Sequence, residues 1–280
     1  MKLVADSGST KTDWCIIGRE GAINRFRGSG INPFQMEAGE IEDVLRSEVL
    51  PEVGDADRVG SIYFYGAGCR DDMRTAMAGI LSNIFTCAHS VEAESDLLAA
   101  ARALFGNEKG IACILGTGSN SGLYDGCVIT RNIPPLGYVL GDEGSGAVLG
   151  RMFVNALFKG RIGTGIKDDF VKETGLTLQS VITKVYRTPQ PNKFLASLSP
   201  FIHNHLQDPD VKRIVVGNFR DFFRNNLNAY EGNSLVVRAV GSVAYYYSEQ
   251  LSMAAALEGY RIDTVIREPM EGLVAYHAKG

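Results

Sequence analysis

Short apolar runs separated by glycine-bearing turns open the chain, and helical periodicity fills the stretches between them. Residues 2–6 read as an apolar strand, 7–11 as a turn and 13–17 as a second strand. Turn chemistry at 18–21 leads into a third strand over 21–27. Ile41, Val44, Leu45 and Val49 share one face of a helix predicted over 36–50. A strand over 61–65 runs into Gly66-Ala67-Gly68, and a helix follows over 71–84. A brief strand at 90–93 precedes a helix over 96–105, for which Ser95 is the N-cap.

The opening pattern then recurs. Residues 110–115 form an apolar strand, 116–119 a turn, and 121–124 and 128–133 further strands. Two glycine-bearing turns, each joining a pair of strands, indicate two related halves rather than one Rossmann unit. Helical periodicity marks 147–158, 168–173, 178–185, 194–205 and 211–227. A buried-type strand at 235–240 meets Gly241-Ser242 and a helix over 243–257, before a last strand at 261–267 and a helix at 269–277. The chain is therefore expected to be a compact α/β protein.

With 280 residues, the length allows one large domain or two smaller ones. Glycine makes up 32 of them, roughly 11% against a usual ~7%, which signals tight turns or loops that approach a ligand closely. An apolar fraction of 45% and a charged fraction of 21% exclude a disordered chain. Net charge is −4 and no basic stripe covers a predicted face, so nucleic acid is not an expected partner. No apolar run approaches the ~18 residues a bilayer demands, so no membrane partner is expected either. An uninterrupted run of only three apolar residues, Leu3, Val4 and Ala5, precedes Asp6, too short for a signal-peptide core. The five cysteines, Cys15, Cys69, Cys87, Cys113 and Cys127, are odd in number and lack a CxxC pair. Reduced, buried thiols in a cytoplasmic protein are expected.

Four segments carry candidate chemistry. Asp6-Ser7-Gly8-Ser9-Thr10-Lys11-Thr12-Asp13 offers backbone N–H groups, hydroxyls and a lysine charge to an anion, and Asp6 a carboxylate to hydrated Mg²⁺; a plain polar hairpin is the equal alternative. Gly116-Thr117-Gly118-Ser119 is a second such turn, and neither fits the Rossmann or Walker spacing. Asp96 opens a helix, where it is either a first-turn anion or a general base. Leu140-Gly141-Asp142-Glu143-Gly144-Ser145-Gly146 sets two carboxylates among glycines, suited to accepting sugar hydroxyls or to an acidic helix start. Asn32 belongs to a Ser29-Gly30-Ile31-Asn32-Pro33 turn that it could simply support. Asp71-Asp72 reads better as a helix start than as an acid–base pair, and His203 with His205 point apart on a helix.

Taken in order, Asp6-Ser-Gly-Ser-Thr-Lys-Thr, Asp96, Gly116-Thr-Gly-Ser, Leu-Gly-Asp142-Glu-Gly-Ser-Gly and Val240-Gly241-Ser242-Val243-Ala244 resemble the N-acetylglucosamine kinase branch of the BadF/BadG/BcrA/BcrD ATPase family. That family belongs to the superfamily of sugar kinases, actin and heat-shock chaperone ATPases. The resemblance implies an α/β fold of two ribonuclease-H-like domains, 1–105 with 268–280 and 106–267, with ATP and Mg²⁺ in the cleft between them. By position, Gly8, Ser9, Thr10, Lys11 and Thr12 would form the first phosphate loop and Gly116, Thr117 and Gly118 the second. Gly241 and Ser242 would pack against adenosine, and Asp6 would hold Mg²⁺ through water. Asn32, Gly68 and Asp142 would contact an amino sugar, and Asp96 would take the proton from its attacking 6-hydroxyl. A homodimer through the C-terminal helical region is a family-level expectation.

Two positions depart from the family pattern. Tyr138 stands where many relatives carry Trp, and the adenosine motif reads Gly-Ser-Val rather than Gly-Gly-Val. Iron–sulfur activators of radical dehydratases share the family, but Cys113 and Cys127 do not sit in the exposed glycine-rich loop such a cluster needs. A sugar sensor without catalysis would have lost Asp96, Lys11 or Thr117, and all three are present. Glucosamine and N-acetylmuramic acid remain open as substrates beside N-acetylglucosamine. The zinc-containing repressor relatives are excluded by the missing cysteine pattern.

Overall fold

The first apolar run forms strand β1 (Lys2–Ser7), in which Leu3, Val4 and Ala5 have no exposed surface. The computed structural model describes residues 1–8, 11–18, 21–230 and 235–278. Strands β2 (Lys11–Ile17) and β3 (Ile23–Ser29) follow as antiparallel neighbours, while β4 (Ser61–Gly66) and β5 (Ser90–Ser95) run parallel to β1. The sheet order is β3-β2-β1-β4-β5. Parallel neighbours need long crossovers. These are helix α1 (Ala38–Val44) with the short α2 (Leu50–Val53), and then α3 (Asp72–Ile84). Helix α4 (Asp96–Phe105) leaves β5 directly, with the Ser95 hydroxyl accepting from the Leu98 N–H as the sequence indicates.

The same order returns in the second sheet. Strands β6 (Gly110–Leu115), β7 (Ser119–Tyr124) and β8 (Ile129–Ile133) are antiparallel, and β9 (Val237–Val240) and β10 (Ile262–Ile266) are parallel additions, giving β10-β9-β6-β7-β8. Between β8 and β9 lie α5 (Gly137–Leu140), α6 (Gly146–Phe158), α7 (Thr164–Thr174), α8 (Leu178–Tyr186), α9 (Pro191–Ala196), α10 (Ser199–Asn204) and α11 (Pro209–Asn225). Helices α12 (Ser242–Tyr246) and α13 (Ser248–Leu257) precede β10, and α14 (Met270–Ala278) closes the described chain. By internal contacts the protein forms two compact units, Met1–Asn107 with Pro269–Gly280, and Glu108–Glu268. Among the described residues no helix is long and apolar enough to cross a membrane.

Several elements differ from the sequence pattern, each for a local reason. Pairing of Leu115 with Ser119 starts β7 two residues early and shortens the turn to 116–118. The helix expected over 36–50 contains a π-helical turn, Leu45–Val49, in which the Leu50 N–H reaches the Leu45 carbonyl. Pro51 follows and cannot donate to continue the α-helical ladder. The stretch expected as one helix over 194–205 is two, with Pro200 in the first turn of α10. Of the cysteines, Cys15, Cys69 and Cys113 are buried; Cys87 and Cys127 lie in turns and are exposed, contrary to expectation.

Helix α14 is held to the first unit by a buried polar chain. Arg102 Nη1 donates to Tyr65 Oη at 2.6 Å, which leaves the Tyr65 hydrogen for His277 Nε2, 2.8 Å away. Lys2 Nζ donates to the His277 carbonyl at 2.7 Å. His277 is therefore a neutral acceptor, and burial, aided by the Arg102 and Lys2 charges, drops its pKa to about 3. The unfolded chain binds this proton near pH 6.5 and the folded one does not, so stability falls as pH drops from 6.5 towards 3. The expected slope approaches ~1.4 kcal/mol per pH unit. Denaturation midpoints between pH 7 and pH 4 should fall less steeply in His277→Gln than in wild type; equal slopes would remove His277 as the cause.

Candidate functional site

In the first unit the candidate residues gather at the carboxyl ends of β1, β4 and β5. Asp6 is partly buried in β1, in register with Asp13 of β2 and Tyr65 of β4. The Gly8 N–H donates to the Lys11 carbonyl at 2.9 Å and closes the β1–β2 hairpin. Ser9 and Thr10 lie outside the described residues. Thr12 is fully buried: its Oγ1 lies 2.7 Å from Ser7 Oγ and donates to the Ser29 carbonyl at 2.8 Å. Its hydroxyl therefore holds the hairpin against the exit of β3. Lys11 is exposed and pairs with Asp13 at 3.0 Å, while Arg27 takes the other Asp13 oxygen at 2.6 Å. Burial would raise the Asp13 carboxyl, but these two partners outweigh it and hold it below its usual value.

Asn32 and Gly68, 36 positions apart, are in contact. Asn32 is buried and its Oδ1 accepts the Phe34 N–H at 3.0 Å. Gly68 has φ +81° and sits so close to Asn32 Oδ1 that no Cβ fits there. Asp96 is the first residue of α4 and is partly accessible. Dense surrounding protein raises its pKa, and the nearby Arg70 charge opposes that rise. Beside it a cavity of about 210 Å³ is lined by Cys69, Arg70, Asp71, Arg74, Glu94 and Ser95. Arg74 is bound to Glu94 at 3.0 Å. Asp72 begins α3 as expected, and Asp71 precedes it at φ +46°.

In the second unit, the ends of β6 and β9 lie side by side, since Ile114 pairs with Val240. The Gly116–Gly118 turn is closed by Gly116 N–H to the Gly118 carbonyl at 2.9 Å, and Thr117 is exposed. Gly241, at φ +127°, has its α-carbon against the Leu115 carbonyl, and Ser242 beside it is exposed. The acidic loop splits its two carboxylates. Glu143 accepts from Asn225 at 2.8 Å and from Asn226, at the end of α11. Asp142 accepts from the Gly137 and Ser119 backbones; burial and the Glu143 charge nevertheless push it up to about 6.

Similarity to solved structures runs the length of the chain. A Porphyromonas gingivalis protein named provisionally as an N-acetylglucosamine kinase is 48% identical, with a TM-score of 0.95 over 100% of this chain and 99% of that one. The chain belongs to the N-acetylglucosamine kinase-like branch of the BadF/BadG/BcrA/BcrD ATPase family. A Chromobacterium violaceum protein given the same provisional name is 18% identical, covering 98% of each chain at a TM-score of 0.74. A Streptomyces griseus ROK-family glucokinase, in complex with glucose and AMPPNP, is 16% identical, covering 100% and 98% at a TM-score of 0.56. These two show the fold, the paired α/β domains of the actin-like ATPases. No family model matches the chain, and no curated protein matches it.

For a sugar kinase of this branch, the first unit brings Asn32 to Gly68, and the second brings the Gly116–Gly118 turn to Asp142 and to the Leu115–Gly241 contact. Arg70 and Phe34 escaped the sequence reading. Arg70 follows the Gly66-Ala67-Gly68 turn at the end of β4, and that turn was its signal in the sequence. Phe34 is 77% exposed although it adjoins buried Asn32, and its apolar type inside a polar turn was the signal there.

Proposed function

We propose that the protein transfers the γ-phosphoryl group of ATP to the 6-hydroxyl of N-acetylglucosamine or a closely related amino sugar, with Asp96 as general base. The observation that carries this reading is the placing of Asp96, half-buried at a capped helix start, beside a charged cavity and directly after β5. A base whose pKa is raised accepts a hydroxyl proton more readily, and the Arg70 charge favours its ionised form.

The residues fit a nucleotide. The Gly116–Gly118 turn leaves Thr117 exposed and suited to a phosphate, and the exposed Ser242 follows the end of β9, which lies alongside β6. Asp6 supplies a hard oxygen for Mg²⁺, which commonly takes one or two carboxylates and completes its shell with water and phosphate oxygens. When bound, the ion would neutralise charge on the transferring group. Asn32 and Gly68 would position the sugar, and Asp142, with two of its roughly four lone-pair sites taken by backbone N–H groups, keeps acceptors for hydroxyls. In the step itself the sugar oxygen–phosphorus bond forms, the bond to the ADP oxygen breaks, and the hydroxyl proton passes to Asp96.

ADP release measured with ATP, Mg²⁺ and N-acetylglucosamine, glucosamine, N-acetylmuramic acid, glucose or no sugar tests the proposal. Turnover with one amino sugar and almost none without sugar is expected. Hydrolysis indifferent to every sugar would overturn it.

A further inference from the structure

Asp142 stands at φ +54°, a left-handed conformation that a non-glycine residue keeps only when its surroundings hold it there. The surroundings are two loops. Its own N–H donates to the Pro135 carbonyl at 2.7 Å, and its carbonyl accepts from Ser145 at 3.0 Å. Its carboxylate accepts from the Gly137 N–H within the acidic segment and from the Ser119 N–H at the end of the glycine turn. A Cβ on Gly118 would come within 3.0 Å of Asp142 Oδ2, so the turn lies directly on the carboxylate. Two backbone bonds continue the seam: Gly146 N–H to the Gly116 carbonyl at 2.8 Å and Ala147 N–H to the Thr117 carbonyl at 3.1 Å. The start of α6 therefore spends its free donors on the turn, and Asp142 ties the other edge.

We infer that Asp142 is a positioning residue for the nucleotide turn at 116–119 as well as a sugar ligand, and so couples nucleotide affinity to sugar affinity. The inference rests on the kinase reading above. The oxygens left for sugar hydroxyls belong to the same carboxylate that holds the Ser119 and Gly137 amides, so a sugar that fixes this carboxylate also fixes the turn. A ligand that favours this arrangement of the seam therefore favours the other ligand too, and linkage makes the effect reciprocal.

The experiment measures binding of a nonhydrolysable ATP analogue without sugar, binding of N-acetylglucosamine with and without nucleotide, and amide hydrogen exchange at Ser119 and Gly137. It compares wild type with Asp142→Ala and Asp142→Asn. In Asp142→Ala, sugar-free nucleotide affinity should fall about tenfold, within the usual span of site-to-site coupling. Exchange at both amides should accelerate, and the mutual enhancement of the two ligands should vanish. Asp142→Asn keeps one acceptor oxygen and suits the left-handed backbone, so it should recover part of each effect. Unchanged nucleotide affinity and unchanged exchange, with sugar affinity alone lost, would overturn the coupling and leave the kinase reading standing. A wild type that binds no nucleotide would overturn both.

Discussion

Asp96→Asn should lower kcat by about 10²- to 10⁴-fold, the contribution general-base catalysis makes, and leave ATP affinity near wild type. Asparagine has nearly the same shape and accepts the same backbone hydrogen bonds at the start of α4, so the Ser95-capped helix should persist. What it lacks is the basic lone pair that takes the hydroxyl proton. Burial raises the Asp96 pKa above 3.8, while Arg70 and the Leu97 and Asp96 N–H groups pull it back. The base is active when ionised, so kcat/KM should fall as pH drops through that raised value, at a higher pH than for a solvent-exposed aspartate. Steady-state ADP release over pH, paired with nucleotide binding, checks both parts. Near wild-type turnover in Asp96→Asn would remove the assignment; lost ATP affinity would mean that Asp96 supports the nucleotide instead.

Much of the fold is legible because its signals are local. Apolar runs ending in glycine turns marked β1, β4, β6 and β9, and their recurrence revealed the duplicated strand order. Ser95 and the helix after it were readable from cap chemistry alone. Helix α5 was not, since Leu136, Val139 and Leu140 stay exposed and give no one-sided stripe. The site was legible in position but less so in role. Thr12 and Thr117 look alike in their turns, yet one hydroxyl is buried against Ser29 and the other faces outward. Likewise Asp142 and Glu143 are neighbours that turn to the glycine turn and to α11 respectively. Such choices depend on partners distant in the chain, to which periodicity is blind.

Gly241→Ala should destabilise the protein by about 4 kcal/mol, from roughly 1–3 for a strained backbone and a similar amount for overpacking. The residue has φ +127°, and an added Cβ would run into the Leu115 carbonyl. Neither side can yield cheaply. Leu115 ends β6, which is paired to β7 on one edge and β9 on the other, and the Gly241 N–H is tied to the Ile266 carbonyl at 3.1 Å. Against a typical total stability of roughly 5–15 kcal/mol, the loss is large enough to appear as a clear fall in urea midpoint. Ser242→Ala is the matched control. Ser242 is exposed and has no left-handed backbone, so it should unfold like wild type. The contrast accounts for the departure from the family's Gly-Gly-Val pattern: the first position has no room for a side chain, whereas the second opens to solvent and accepts serine. An unchanged midpoint in Gly241→Ala would mean that the β6–β9 seam can open by the width of a methyl group, and the steric account of this motif would fall with it.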